Sequence, residues 1–292
     1  MGRLLLFANR YAGTLSRTGV KGPLEQYARE AGLEVEIIPT RNARQLRQLL
    51  KERAVGKVDR VAVAGGDGTI HAAVQVLAGT NVALGILPQG TANNFATALR
   101  LPLDMPSAFR VIAAGEQQRV SLGEAAGEYF TEAAGVGLFA DALALYGGGR
   151  RTKSLLRSLF TAMHLWLTNK PRRLTLEVDG ERHIEDVVMV TVANTFRIGF
   201  GVPIAPTARA TDNHLDIVIL GPLTRAELLV YFRAIRAQSH LQLPKVELLT
   251  GREIVIRSRH TLHVHVDDHV RHATPVTIRI VPDALKVLVD RL

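Results

Sequence analysis

Residues 61–69 read Val-Ala-Val-Ala-Gly-Gly-Asp-Gly-Thr. A short apolar run of strand type stops at three glycines set around one Asp and one Thr, and a helical pattern starts at Ile70. Glycine lets a backbone come close to a ligand and reach positive φ. A helix that begins at such a turn presents free N–H groups and partial positive charge, which suit a phosphate. Asp67 fits that picture if it holds the magnesium that accompanies a nucleotide, or orients an acceptor hydroxyl. A tight strand–helix turn with Asp67 or Thr69 as N-cap explains the same residues, and the spacing alone leaves both readings open. A Walker loop is excluded, because no Lys follows the glycines.

A second turn of the same kind follows. Leu84-Gly85-Ile86-Leu87-Pro88 runs as a strand into Gln89-Gly90-Thr91-Ala92-Asn93-Asn94-Phe95-Ala96, which ends in a helix start. Around these turns the first third of the chain alternates apolar runs with helical patterns. Strands are expected at residues 4–8, 34–38, 61–64 and 82–87, and helices at 23–31, 43–53 and 70–78. That alternation predicts βαβ units and a parallel sheet, whose carboxyl edge would carry both glycine turns. Two polar glycine turns on one edge favour a ligand site over two structural turns.

Beyond about residue 121 the texture is mainly β. Strand-like runs occur at residues 174–178, 187–193, 215–220, 253–257, 262–266 and 276–281, with a hairpin signal at Asp179-Gly180. Helical stretches at 152–168 and 225–238 interrupt them. The chain has 292 residues with 47% hydrophobic and 22% charged, enough to bury a core in each half. It has no cysteine, which excludes disulfide scaffolds, thiolate metal sites and cysteine nucleophiles. Its formal charge of +9 favours phosphate-bearing partners: nucleotides, nucleic acid or anionic membranes. Aromatics make up only 5% and are not interleaved with basic residues, so nucleic acid is not expected as a partner. No apolar run approaches the roughly 18 residues of a spanning helix.

Taken together, the Gly-Gly-Asp-Gly-Thr turn and the Pro-x-Gly-Thr-x-Asn turn resemble the diacylglycerol kinase catalytic-domain family, in particular its soluble bacterial lipid kinases. Sphingosine and ceramide kinases are similar, and NAD kinases share the first turn more distantly. The likeness extends over nearly the whole chain. Asn9-Arg10-Tyr11-Ala12-Gly13 stands where the family has an Asn-Pro-x-x-Gly turn, Ala134-Gly135-Val136-Gly137 resembles its domain crossover, and Val192-Ala193-Asn194 with Ala205-Pro206-Thr207-Ala208 resembles its second-domain signature.

The resemblance implies an N-terminal three-layer α/β nucleotide-binding domain over residues 1–121 and a C-terminal β-sandwich domain for the lipid substrate over 122–281. Residues 282–292 would pack back on the first domain, with a nucleotide cleft between the two domains. It implies transfer of the γ-phosphoryl group of ATP, with Mg2+, to a lipid hydroxyl such as that of diacylglycerol. Asn9, Thr40, Gly65, Gly66, Asp67, Gly68, Thr69, Thr91 and Asn93 would contact the nucleotide, with Asp67 the key acidic residue. Asp212, with the backbone carbonyls of Arg209 and His214, would hold a metal. A cytoplasmic protein, peripheral at the inner face of an anionic membrane, is expected, with a homodimer among its assembly states. Two rivals are an NAD-kinase-like enzyme for a soluble hydroxyl, and a nucleotide- or lipid-binding protein without transfer.

The sequence departs from the family pattern in places. Ile70-His71-Ala72 follows the first turn where the family often carries Asn-Glu, and Asn94 replaces an Asp. Thr211-Asp212-Asn213-His214 stands for Asp-Asp-Gly, and Asp267-Asp268-His269 stands for the Asp-Gly-Glu that supplies the general base. His269 or Asp268 is then the expected base. The histidine-rich stretch 260–272 would place His263, His265, Asp267 and His269 on one face of an extended strand, a spacing able to bind a transition metal. A solvent-facing strand face with a turn at Asp267-Asp268 is the reading the residues favour. The helix at 152–168 is apolar, with Arg150 and Arg151 before it and Lys153 and Arg157 within it, a composition suited to an anionic membrane surface, or to a helix packed on the sandwich with a solvated basic rim.

Overall fold

The computed structural model describes residues 4–13, 21–146 and 170–290. The cationic helical stretch at 152–168 and its flanking arginines lie outside the described residues. The chain divides into two compact units. The first takes the chain as far as Leu122 and again from Pro282 onward, and the second is Gly123–Val281.

The first unit is built from β1 (Leu4–Asn9), α1 (Lys21–Glu30), β2 (Val35–Thr40), α2 (Ala43–Arg53), β3 (Arg60–Gly65), α3 (Asp67–Leu77), β4 (Ala83–Pro88), α4 (Asn94–Ala98) and α5 (Met105–Ala114). Its sheet runs β2-β1-β3-β4 and all these pairings are parallel. Helices cover both faces, so the strands are apolar throughout: Leu4, Leu6 and Ala8 meet Leu24, Ala28, Phe109 and Ile112 on one side, while Leu5 and Phe7 point to the other and are equally buried. Side-chain caps mark two helix starts, at α2 where the sequence predicts a helix and at α5 where it does not. Asn42 accepts from the Gln45 N–H at the head of α2, and Asp104 accepts from Ser107 N–H at the head of α5. Gly115, at φ 71°, closes α5 in the left-handed conformation that glycine favours.

The second unit continues through β5 (Glu116–Ala125), β6 (Glu128–Phe130), β7 (Ala133–Gly137), α6 (Leu138–Tyr146), β8 (Arg172–Val178), β9 (Glu181–Val187), β10 (Met189–Ala193), β11 (Leu215–Leu220), α7 (Arg225–Arg236), β12 (Val246–Gly251), β13 (Glu253–Ser258), β14 (His263–Val266), β15 (His269–Ala273) and β16 (Val276–Val289). One sheet has the order β12-β11-β10-β7-β14-β15, and the facing antiparallel strands are β16, β13, β8 and β9. Leu176, Ile254, Ile256 and Ile278 from one layer interdigitate with Val136, Val192, Ile217 and Val264 from the other, which makes the core of a β-sandwich. The β8–β9 hairpin turns at Asp179 (φ 49°) and Gly180 (φ 90°), the paired positive φ of a tight hairpin. On the outer face of the second sheet, Val218 and Leu220 are covered by Tyr231 of α7 and by Ile198, Ile204 and Ala205 of the loop that follows β10.

Two strands cross from one unit to the other. β5 holds the boundary at Leu122 and β16 holds the boundary at Pro282. Within the first unit the end of β16 lies parallel to β4, with Val287 opposite Leu84 and Leu288 in the core.

Candidate active site

In the first unit, three turns at the carboxyl ends of β1, β3 and β4 converge. The Asn9 side-chain amide donates to the Thr69 hydroxyl at 3.0 Å, linking the first turn to the Gly-Gly-Asp-Gly-Thr turn. Gln89 N–H donates to the Gly65 carbonyl at 2.9 Å, linking that turn to the third. Gly66 and Gly90 meet backbone to backbone. A Cβ on Gly66 would lie 2.9 Å from the Gly90 Cα, and one on Gly90 would lie 2.7 Å from the Gly66 Cα and from the Asn93 side-chain oxygen. A Cβ on Gly65 would run into the Thr69 side chain at 2.4 Å, and one on Gly13 would meet the Gln89 carbonyl at 2.6 Å.

These glycines therefore exist for close approach. Gly65, Gly66, Gly68 and Gly90 are absent from the positive-φ residues, so those two turns do not use the conformational freedom expected of them, whereas Gly13 in the first turn sits at φ 45°. Asn93 takes the left-handed conformation instead, at φ 50°, and its side chain closes the third turn by accepting from Gly90 N–H at 2.8 Å and donating to the Gly90 carbonyl at 3.1 Å.

Asp67 opens α3 and is half-buried, and the N-cap residue Gly66 offers no side-chain hydrogen bond to the helix. The N-capping role first open to Asp67 or Thr69 is thus filled by neither. The first N–H groups of α3 lie at a helix start whose N-cap is a glycine, beside the Asp67 carboxylate. Thr40 is buried and presents its carbonyl to Arg10 N–H at 3.1 Å, so it braces the Asn9 turn. Thr91 is exposed at the lip of the third turn.

In the second unit the Asp267-Asp268-His269 segment is a turn, with Asp267 at φ 48°. Asp267 is buried, and its carboxylate accepts from Thr131 N–H and the Thr131 hydroxyl, both at 3.1 Å, from Glu132 N–H at 2.8 Å and from Ala133 N–H at 3.2 Å. Its own N–H donates to the Ala133 carbonyl at 2.8 Å. Asp267 is an anchor that fixes this turn to the start of β7. Asp268 and His269 sit beyond it, partly exposed, with the His269 Nδ1 against an Asp268 carboxylate oxygen.

The single histidine face does not form. The turn at Asp267 breaks the register. His265 is fully buried, with its ring edge-on to Phe139 at 4.7 Å, whereas His263 is exposed. Burial lowers the His265 pKa to about 4, more than the Asp267 carbonyl and charge raise it, so this ring is neutral at physiological pH. Among the described residues no three His, Asp or Glu side chains group to hold a metal.

Arg209, Asp212 and His214 lie on the exposed loop before β11. The Asp212 carboxylate accepts from His214 N–H at 3.2 Å, and His214 Nδ1 lies 2.8 Å from the Asp212 carbonyl. Asp216, the second residue of β11, is buried and accepts from the Thr207 hydroxyl. Burial pushes its carboxyl above the usual range, the Thr207 hydroxyl draws it partly back, and the Asp212 charge adds a smaller upward push. A desolvated carboxylate beside a second one is a hard-oxygen donor set that suits Mg2+, completed by backbone carbonyls. The signal in the sequence was an Asp inside the otherwise apolar run Leu215–Leu220.

Against known families, residues 3–125 match the diacylglycerol kinase catalytic domain, and residues 133–289 match the YegS C-terminal NAD kinase beta sandwich-like domain. The chain belongs to the diacylglycerol kinase family. A family member named diacylglycerol kinase, from Mycobacterium tuberculosis (strain CDC 1551 / Oshkosh), is 30% identical over 269 residues, 89% of this chain and 86% of that one. A probable lipid kinase YegS-like from Chromohalobacter salexigens is 30% identical over 208 residues, 67% of this chain and 65% of that one. The crystal structure of a putative diacylglycerol kinase from Bacillus anthracis str. Sterne shares the fold, with a TM-score of 0.79 at 20% identity, covering 99% of this chain and 95% of that one. This diacylglycerol kinase family member thus has the α/β and β-sandwich units that its sequence implied.

Proposed function

We propose that the protein is an ATP- and Mg2+-dependent lipid kinase that phosphorylates the hydroxyl of a diacylglycerol-like acceptor. The observation that carries this reading is the backbone contact of Gly66 with Gly90 at the start of α3, where the N-cap is a glycine. It supplies N–H groups and room for phosphate oxygens on a rigid sheet edge. Asn9, Thr40, Gly65, Gly66, Gly68, Thr69, Thr91 and Asn93 form or brace the nucleotide side. Asp67 faces the same turn as the acidic group that orients phosphate and metal.

When bound, ATP with Mg2+ supplies the γ-phosphoryl group and neutralises the charge that develops on it. The chain's residues do the rest. The Asp268–His269 pair takes the proton of the acceptor hydroxyl, the acceptor oxygen forms the new bond to phosphorus, and the bond to the β-phosphate oxygen breaks to leave ADP. Phosphoryl transfer rests mainly on positioning and charge neutralisation, so a histidine in place of a carboxylate base is compatible with turnover. Asp212, with Asp216 and the carbonyls of Arg209 and His214, is the proposed second Mg2+ site. The lipid acceptor places the working protein at a membrane surface.

The test is ATP turnover against a panel of lipid acceptors and soluble alcohols, with Asp67→Ala as control. The expected result is transfer to a diacylglycerol-class lipid by the wild type, and loss of at least about 10³-fold in Asp67→Ala at unchanged melting temperature. Transfer only to soluble acceptors, or normal activity in Asp67→Ala, overturns the proposal.

A further inference from the structure

α7 buries one side and leaves the other uncovered. Tyr231 is buried against the second sheet and its hydroxyl donates to the Pro244 carbonyl, with Leu228 and Ile235 packed beside it. Opposite them, Leu229, Val230 and Phe232 are 58%, 56% and 57% exposed. At 100° per residue, Leu229, Phe232, Arg233 and Arg236 fall on a single stripe, and Val230 flanks it. Three large apolar side chains at that exposure on one short helix are unusual for a face that meets only water.

The charge on this face has one sign. Arg233 and Arg236 are exposed, and no Asp or Glu occurs between Glu227 and Glu247. Glu227 itself is engaged at the helix start: Lys245 donates to it at 2.8 Å, Thr224 completes a capping box with it, and these contacts hold its carboxyl down to about 2. Its charge is matched there and does not serve the outer face.

We infer that the outward face of α7 docks on an anionic lipid bilayer, with Leu229 and Phe232 entering the interface and Arg233 and Arg236 meeting lipid phosphates. Charge chooses this occupant over a second copy of the chain. A two-fold contact would set Arg233 and Arg236 of each copy against an equally cationic, acid-free face. The inference rests on the lipid-acceptor reading for its purpose, and its test needs no turnover.

The measurement is sedimentation with phosphatidylglycerol–phosphatidylcholine vesicles, and with phosphatidylcholine vesicles alone, in the absence of ATP. The double variant Arg233→Gln/Arg236→Gln is expected to bind anionic vesicles about 25-fold more weakly at low salt, near fivefold per charge, with the deficit shrinking as salt rises. Leu229→Ser/Phe232→Ser is expected to lose about tenfold at every salt concentration, since its contribution is apolar burial. Both variants should keep the wild-type melting temperature and turnover on detergent-dispersed acceptor. Vesicle binding that is absent in the wild type, or unchanged in both variants, overturns the inference. So does a fall in particle mass by light scattering with vesicle binding intact, which assigns the face to a second copy. Loss of vesicle binding in the variants, with no lipid phosphorylated by the wild type, supports the docking face and removes the kinase reading.

Discussion

The Gly65–Asn93 region of the first unit and the Asp267–His269 region of the second are assembled by opposite means. The first is made of backbone. Its turns touch because Gly13, Gly65, Gly66 and Gly90 lack a Cβ, and the start of α3 lies among them. The second is made of side-chain hydrogen bonds, with one buried carboxylate serving four donors from three consecutive residues. A backbone site survives almost any change in its neighbours that spares the glycines. A side-chain site can exchange the residue at its tip, which here is His269, provided the anchor stays.

The strongest test of that contrast is Asp267→Ala. It strands four donors in a buried place, and an expected destabilisation of about 4 kcal/mol follows from the loss of several charge-assisted bonds. Asp268→Ala, one residue on and partly exposed, should change stability by less than about 0.5 kcal/mol. Urea titration of the two variants decides the matter. Equal, small effects would mean that the turn is held by strand pairing and that the anchor adds nothing.

His265 gives the second test. Its pKa is about 4 in the folded protein against an ordinary 6.5. Between these values the unfolded chain takes up a proton that the folded protein refuses, so stability present above pH 6.5 is lost as pH falls toward 4, and the loss stops once both states are protonated. The span corresponds to about 3 kcal/mol. In His265→Gln the acid slope of stability should be shallower than in the wild type by that amount. Identical slopes would show that the core around Phe139 admits a charged ring.

The same contrast explains what the sequence discloses. The α/β unit is legible because parallel strands buried on both faces read as unbroken apolar runs alternating with helical patterns; the helix between Asp104 and Gly115 is the part that this alternation does not disclose. The convergence of the glycine turns follows from sheet topology. The reason for the glycines does not: spacing cannot distinguish a positive φ from a close approach, and the Gly66–Gly90 contact is visible only once β3 and β4 are paired. In the second unit the role of Asp267 is hidden by distance, since its partners lie 134 to 136 residues away. The turn at Asp267 defeats a period-two reading that carries one face from His263 through His269. Asp216 is readable only as an acid that breaks an apolar strand, a signal that says it is unusual without saying what it serves.

Exchange at the tip is tested at His269. His269→Ala should lower turnover about 100-fold, the lower end of what a general base contributes, at unchanged stability because the anchor is intact. His269→Glu should retain or raise turnover, since it restores the family's carboxylate on the same turn. Full activity in His269→Ala together with a large loss in Asp268→Asn would move the base to Asp268. Equal silence of all three variants beside an active wild type would mean that the turn positions the acceptor and moves no proton.

The smallest effect tests whether the second unit holds a metal. Because burial raises the Asp216 carboxyl in the folded protein, folding favours its protonated form more than the unfolded chain does. Stability from this group is therefore full below the ordinary carboxylate pKa and is lost as pH rises through the raised value, so at neutral pH the ionised side chain is a burden in the absence of a cation. Asp216→Asn keeps an acceptor for the Thr207 hydroxyl and removes the charge. Without Mg2+ it should match the wild type or exceed it by less than about 1 kcal/mol at pH 7. With Mg2+ the order should reverse, because binding to the folded state alone adds stability in proportion to the logarithm of metal concentration, and only the wild type has both carboxylates. Melting curves over a Mg2+ series, with Asp212→Asn alongside, read this directly. A wild type that gains nothing from Mg2+ would leave Asp212 and Asp216 as a loop clamp and confine the metal to the Asp67 turn.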